Sequence, residues 1–201
     1  MNGSTAGEGG DGRLLRGKRT HREILASAVD LGSSEGLEAL TIGRLATATG
    51  VSRSGLFAHF GSKQALQLAT IEAAREIFIE EVLGSGQGTA EGLPRLRAVL
   101  AAWIDYFRRD VFPGGCFFQA ASLEFDGRPG PVRDRVIEVM KQWLALLTEL
   151  ARQATLPEGL DPAQLAFELN AIGLATNWQR QLLGDEQALQ RAEMAFDRVL
   201  A

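Results

Sequence analysis

From Ile24 almost to the last residue, apolar side chains return every third or fourth position, and no stretch sustains an alternation of apolar and polar residues. That spacing is the period of a helix buried along one face, whereas a half-buried strand would show a period of two. Dipeptides that close hairpins between β-branched runs are also missing from the sequence. The chain is therefore expected to be all-α.

Capping residues and glycines cut the pattern into segments. Residues 1–12 are Gly-rich and lack apolar anchors, the composition of a disordered tail. A first helix carries Ile24, Leu25, Ala28 and Leu31, with Gly32 and Gly36 punctuating its end. Thr41 is placed as N-cap of a short second helix, with Ile42, Leu45 and Ala46 inward and Gly50 as its stop. Ser52 caps a third, with Leu56 and Phe60 as its apolar pair and Gly61 at its end. Ser62 caps a fourth that carries Leu66, Ala69, Ala73, Ile77 and Leu83. The run 84–88 reads as a flexible linker. Beyond it, helices are expected near 91–109, 116–125, 130–155, 161–183 and 185–200, most of them separated by Pro- and Gly-bearing breaks such as Pro113-Gly114-Gly115 and Leu156-Pro157-Glu158-Gly159. Three parts follow: a tail (1–12), a three-helix N-terminal unit (13–65) and a larger helical unit (66–201).

Charge separates the two helical units. Residues 1–63 carry 8 basic and 6 acidic residues, whereas residues 64–201 carry 13 and 19. Arg13, Arg16, Lys18, Arg19 and Arg22 lie within ten positions, a cluster able to hold phosphates even on an acidic protein. A solvated helix start is the other reading of the same cluster. The single cysteine, Cys116, excludes an internal disulfide and fits a reducing cytosol. No signal-peptide layout and no apolar run of roughly 18 residues is present, so a cytoplasmic protein without membrane contact is expected. Catalytic residues, metals and cofactors are not expected. Two histidines, one cysteine and no Gly-rich phosphate loop leave no triad or metal cluster to assemble.

The second and third helices, joined through Thr49-Gly50-Val51, have the form of a helix-turn-helix. Charge sharpens this reading. Arg53 and Lys63 occupy first positions of their helices, where a cation opposes the helix dipole by roughly 0.3–1 kcal/mol. An anion at that end reverses the sign, because free backbone N–H groups and a cation then face one phosphate. Two surface cations without a ligand remain the plain alternative.

The stretch TIGRLATATGVSRSGLFAHFGSKQAL, Thr41 to Leu66, closely resembles the N-terminal signature of TetR-family regulators, and RTHREILASAVDLGSSEGLEAL upstream is similar to that family's first helix. The segment around Gly115-Cys116-Phe117-Phe118 is similar to one found in a broad group of these proteins. The resemblance implies a transcriptional repressor, homodimeric, bound to double-stranded DNA and released by a small-molecule effector. By the same resemblance, Arg53, Ser54 and Gly55 read base edges, and Thr41, Ser52, His59 and Lys63 contact the phosphate backbone. Phe57 joins the DNA-facing set at a position commonly tyrosine in the family, and that departure, with Ala58, removes phosphate hydrogen bonds. For His59, packing beside Phe60 is the competing role.

All three tryptophans and the only tyrosine fall in the C-terminal unit. Trp103, Phe107, Phe118, Trp143 and Trp178 are the candidate ligand contacts, since pockets favour apolar and aromatic walls with few polar groups. A core without a cavity would use the same residues. Phe167 is a further aromatic able to approach, and Arg97, Gln119, Glu124 and Asn177 are candidate polar partners. Helix 161–183 is apolar on more than one side, and Leu189, Ala192, Phe196 and Val199 form a stripe on the last helix. Both point to a partner chain, a four-helix bundle across a two-fold axis.

Overall fold

The computed structural model describes residues 8–84, 88–154 and 160–201, with side chains from His21 onward. Its elements are α1 (Glu8–Glu35), α2 (Ile42–Thr49), α3 (Arg53–Phe60), α4 (Lys63–Phe78), α5 (Leu93–Arg108), α6 (Phe117–Phe125), α7 (Pro131–Gln153), α8 (Pro162–Leu183) and α9 (Gln187–Val199). A π-helical turn over Ile79–Leu83 prolongs α4. No strand occurs among the described residues. None of the described helices is long and apolar enough to cross a membrane.

The helix starts are where their capping residues put them. Thr41, Ser52 and Ser62 accept from the backbone N–H of Arg44 (3.1 Å), Gly55 (3.1 Å) and Ala65 (3.0 Å). Asp161 does the same for α8 through Gln164 at 3.1 Å. Each such cap is worth about 1 kcal/mol. Proline occupies the first turn of α5, α7 and α8, where its missing N–H costs nothing. Gly50 ends α2 in the left-handed region (φ 70°), its N–H returning to Ala46 O at 3.0 Å. A β-branched residue there would be strained.

α1 to α4 close around Ile24, Ala28, Leu37, Leu40, Leu45, Leu56 and Leu66, all buried. Burying each leucine or isoleucine contributes roughly 1.5–3 kcal/mol. In the other half, α8 packs between α7 and α9, and α5 lies against α7, α9 and the π turn. One continuous apolar core runs through both halves. Where α5 meets α8, the Trp103 indole rests on Gly173, within 2.1 Å of where a β-carbon would stand.

Residue 65 falls inside α4, so the two units share that helix, as a fourth helix capped at Ser62 already implies. Two expectations meet a different arrangement. α1 begins at Glu8, so 8–12 of the expected tail is helical, and residues 1–7 lie outside the described residues. The stripe of Leu189, Ala192 and Phe196 is buried within its own chain, because α9 turns it onto α5 and α8. On these last two helices the large apolar side chains left exposed are Phe167, Trp178, Leu182 and Leu183 of α8 and Met194 of α9; Leu123 of α6 and Leu144 of α7 are exposed elsewhere. Residues 85–87 of the linker and the break at 155–159 lie outside the described residues.

Candidate functional site: a projecting helix and an apolar cavity

α3 rests on the core through Leu56 and Phe60. Arg53, Ser54, Phe57, Ala58 and His59 all face outward. Phe57 is 59% exposed, a large apolar side chain left in water at the centre of this face. The Arg53 guanidinium lies over the first turn of α2, its Nη2 3.5 Å from where a β-carbon on Gly43 would stand. Cation and helix N-terminus thus share one surface, which suits an anion better than water. Gly55 is closely packed: a β-carbon would come within 3.1 Å of the Ser52 Oγ that caps the helix. Thr41, Ser52 and Ser62 are exposed and use their oxygens as caps, which leaves the O–H of Thr41 and Ser62 free to donate to a phosphate. Ser54 Oγ stands 3.2 Å from Ser52 Oγ.

Lys63 is not free on this surface. Its Nζ donates to Glu38 Oε1 at 2.7 Å, and that hydrogen bond, with lesser help from Gln67, holds the Glu38 carboxyl below its ordinary range. Both partners are about 40% exposed, so a phosphate can displace the carboxylate at small cost. His59 is exposed, yet its ring lies 5.7 Å from that of His21, which stacks on Phe60 at 5.6 Å. Packing therefore accounts for part of its position. Arg22 is exposed, and the side chains of Arg13, Arg16, Lys18 and Arg19 lie outside the described residues.

At the far end of α4 is a cavity of about 230 Å³, walled by Arg75, Phe78, Ile79 and Leu83, by Trp103 of α5, by Cys116, Phe118 and Gln119, by α7 from Val139 to Leu146, and by Asn170 and Leu174 of α8. The Trp143 ring meets Phe78 at 5.2 Å and Trp103 at 4.9 Å, edge to face in both cases. Trp143 Nε1 donates to Asn170 Oδ1 at 3.2 Å. The Trp103 indole N–H is buried with no acceptor among the described residues. Burial pushes the Cys116 thiol up, which keeps it protonated and unreactive.

Of the aromatic candidates, the structure brings Trp103, Phe118 and Trp143 together around this cavity. Phe107 is buried beside Trp103, 5.7 Å between ring centres, and does not reach it. Trp178 lies outside it and is 49% exposed, because it stands on the outward side of α8, opposite buried Thr176 and Asn177. Phe167 is exposed for the same reason. Among the polar candidates, Gln119 lines the cavity, and Asn177 sits behind it, donating to Gln119 Oε1 at 2.7 Å and accepting from the Cys116 backbone N–H. Arg97 pairs with Asp197 at the surface. Glu124 reaches the other way, to the loop before α2.

Arg75, Phe78, Asn170 and Glu38 were not singled out from the sequence. Arg75, Phe78 and Ile79 share a helical face, a usable signal, and Asn170 interrupts an otherwise apolar stretch of α8. Nothing local marks Glu38.

Comparison with known proteins covers both halves. Residues 24–70 match the family described as "Bacterial regulatory proteins, tetR family", and residues 92–196 match "Tetracyclin repressor-like, C-terminal domain". The nucleoid occlusion factor SlmA of Sodalis glossinidius is 29% identical over 162 residues, 77% of this chain and 80% of that protein. The HTH-type transcriptional regulator TcmR of Streptomyces glaucescens is 27% identical over 188 residues, 91% of this chain and 82% of its own. Among solved structures, the TetR-family regulator SCO4454 of Streptomyces coelicolor superposes with a TM-score of 0.76 at 26% identity, covering 90% of this chain and 93% of that one.

Proposed function

Since the chain belongs to the TetR family of bacterial regulatory proteins, and so regulates transcription by binding DNA, we propose that it is a homodimeric repressor released from a palindromic operator when a small molecule fills the cavity. The observation that carries this reading is α4. The helix starts at Lys63 on the outward face beside α3, and its other end supplies Arg75 and Phe78 to the cavity wall. A ligand that favours one position of that helix also favours one spacing of two recognition helices, and affinity changes only by its differential binding to the two states. Exposed Phe167, Trp178, Leu182 and Leu183 on α8, with Met194 on α9, support a second copy as the partner. A two-fold pair of α3 helices calls for a palindromic site.

Selection of preferred sites from random duplexes, followed by titration of small molecules against the selected site, tests the reading. A palindromic consensus and release by a saturating ligand are expected. Operator affinity unchanged at saturation would reject effector release. Arg53→Ala is expected to relax preference at one operator position by about 1–3 kcal/mol. Uniform weakening across sites would make Arg53 a phosphate contact instead. A function on DNA that involves no small molecule would leave the aromatic cavity without a use.

A further inference from the structure

The chemistry around the cavity limits what it can hold. This inference rests on the reading that the cavity receives a ligand. Four aromatic rings line it, Phe78, Trp103, Phe118 and Trp143. Such a box alone would suit a cation, through the negative faces of the rings. Its polar groups say otherwise.

Each side-chain amide oxygen there already receives one donor. Gln119 Oε1 receives Asn177, Asn170 Oδ1 receives Trp143, and Gln142 Oε1 receives Arg75 at 3.3 Å. An indole N–H can only donate, so the Asn170 atom facing it is the oxygen, and the amide NH2 is left over. The Trp103 N–H likewise has no acceptor among the described residues, although Trp103 is 97% buried. A buried donor without a partner is costly and calls for an explanation. Arg75 completes the set. Its guanidinium has no carboxylate within 4.0 Å among the described residues, since Glu72, one turn earlier, is taken by Arg135. No aspartate or glutamate is among the described lining residues.

The geometry points to a ligand that is flat, apolar over most of its surface and an acceptor or anion at one end, and to exclusion of cations despite the aromatic walls. The anionic end sits at Arg75, and the ring system lies against the wall that Phe78, Trp103 and Trp143 form by packing on one another. At about 230 Å³ the cavity is smaller than the roughly 300–1,000 Å³ usual for ligand sites, so two fused rings with one substituent fit better than a larger polycycle.

Three probes that share a naphthalene ring test this by calorimetry: the carboxylate, the neutral methyl ketone and the trimethylammonium salt. The carboxylate is expected to bind tightest, the ketone next and the cation weakest, with carboxylate and cation separated by about ten-fold or more. Arg75→Gln is expected to erase the advantage of the carboxylate over the ketone, and Arg75→Lys to retain much of it. A cation that binds as tightly as the carboxylate overturns the inference. So does an order unchanged in Arg75→Gln, or failure of all three to bind. Operator release is followed in parallel: the expected order without release would reject the effector reading and leave this one standing.

Discussion

Glu124 of α6 accepts the backbone N–H of Leu37 at 2.8 Å, joining positions 87 residues apart in the chain. Its other oxygen accepts from Glu38 N at 3.0 Å. Phe118 and Gln119, earlier on α6, belong to the cavity wall, and Glu38 pairs with Lys63 at the head of α4. One helix therefore touches both the cavity and the loop that leads into the helix-turn-helix.

Glu124→Ala strips the acceptor from two loop amides at a cost of about 1–3 kcal/mol. The melting temperature is expected to fall, and ligand is expected to release the operator less completely. Glu124→Gln keeps one acceptor and is expected to lie between. Full release in the alanine variant would confine the coupling to α4.

Because Glu38 holds Lys63 in the DNA-free protein, the two substitutions are expected to act in opposite directions. Lys63→Ala weakens binding to all duplexes and lowers the slope of log affinity against log salt by about one. Glu38→Gln frees the lysine and strengthens binding by up to about 1 kcal/mol at low salt. Fluorescence anisotropy across a salt series reads both. A slope unchanged by Lys63→Ala would remove its phosphate role.

Trp178 and Leu182 stand one helical turn apart on α8, 49% and 67% exposed. The double variant Trp178→Glu/Leu182→Glu is expected to sediment as a monomer and to lose operator binding, since buried aromatic anchors are each worth about 2 kcal/mol or more at an interface. Persistence of the dimer would place the interface elsewhere.

The Arg135 guanidinium, hydrogen-bonded to Glu72 with 2.8 Å between Nη2 and Oε2, holds that carboxyl below its ordinary value of 4.5, against the opposing effect of burial. The folded value is the lower one, so the α4–α7 link is complete above the unfolded value and is lost as the pH falls through the folded one. Thermal melts of wild type and Glu72→Gln are expected to differ at neutral pH and to converge in acid. A gap that persists in acid would rule the pair out as its source.

Local chemistry carried much of this fold in plain view. Thr41, Ser52 and Ser62 head their helices, and Gly50 ends one, because capping and left-handed turns depend only on residues three or four positions away. The projection of Arg53 and Phe57 follows from the same register, with Leu56 and Phe60 turned inward.

What faces what across helices was decided elsewhere. Trp143 and Trp178 both sit on helices with apolar faces, yet one walls a cavity and the other meets solvent. The stripe on α9 is the kind that would suit a partner, and it packs inside its own chain. The sequence marks Lys63 by its place at a helix start, but not its partner: Glu38, 25 residues earlier, comes within 2.7 Å only in the folded chain. Helical period places a side chain on a face. The crossing of helices, set by the summed burial of many side chains at once, determines which neighbour that face meets.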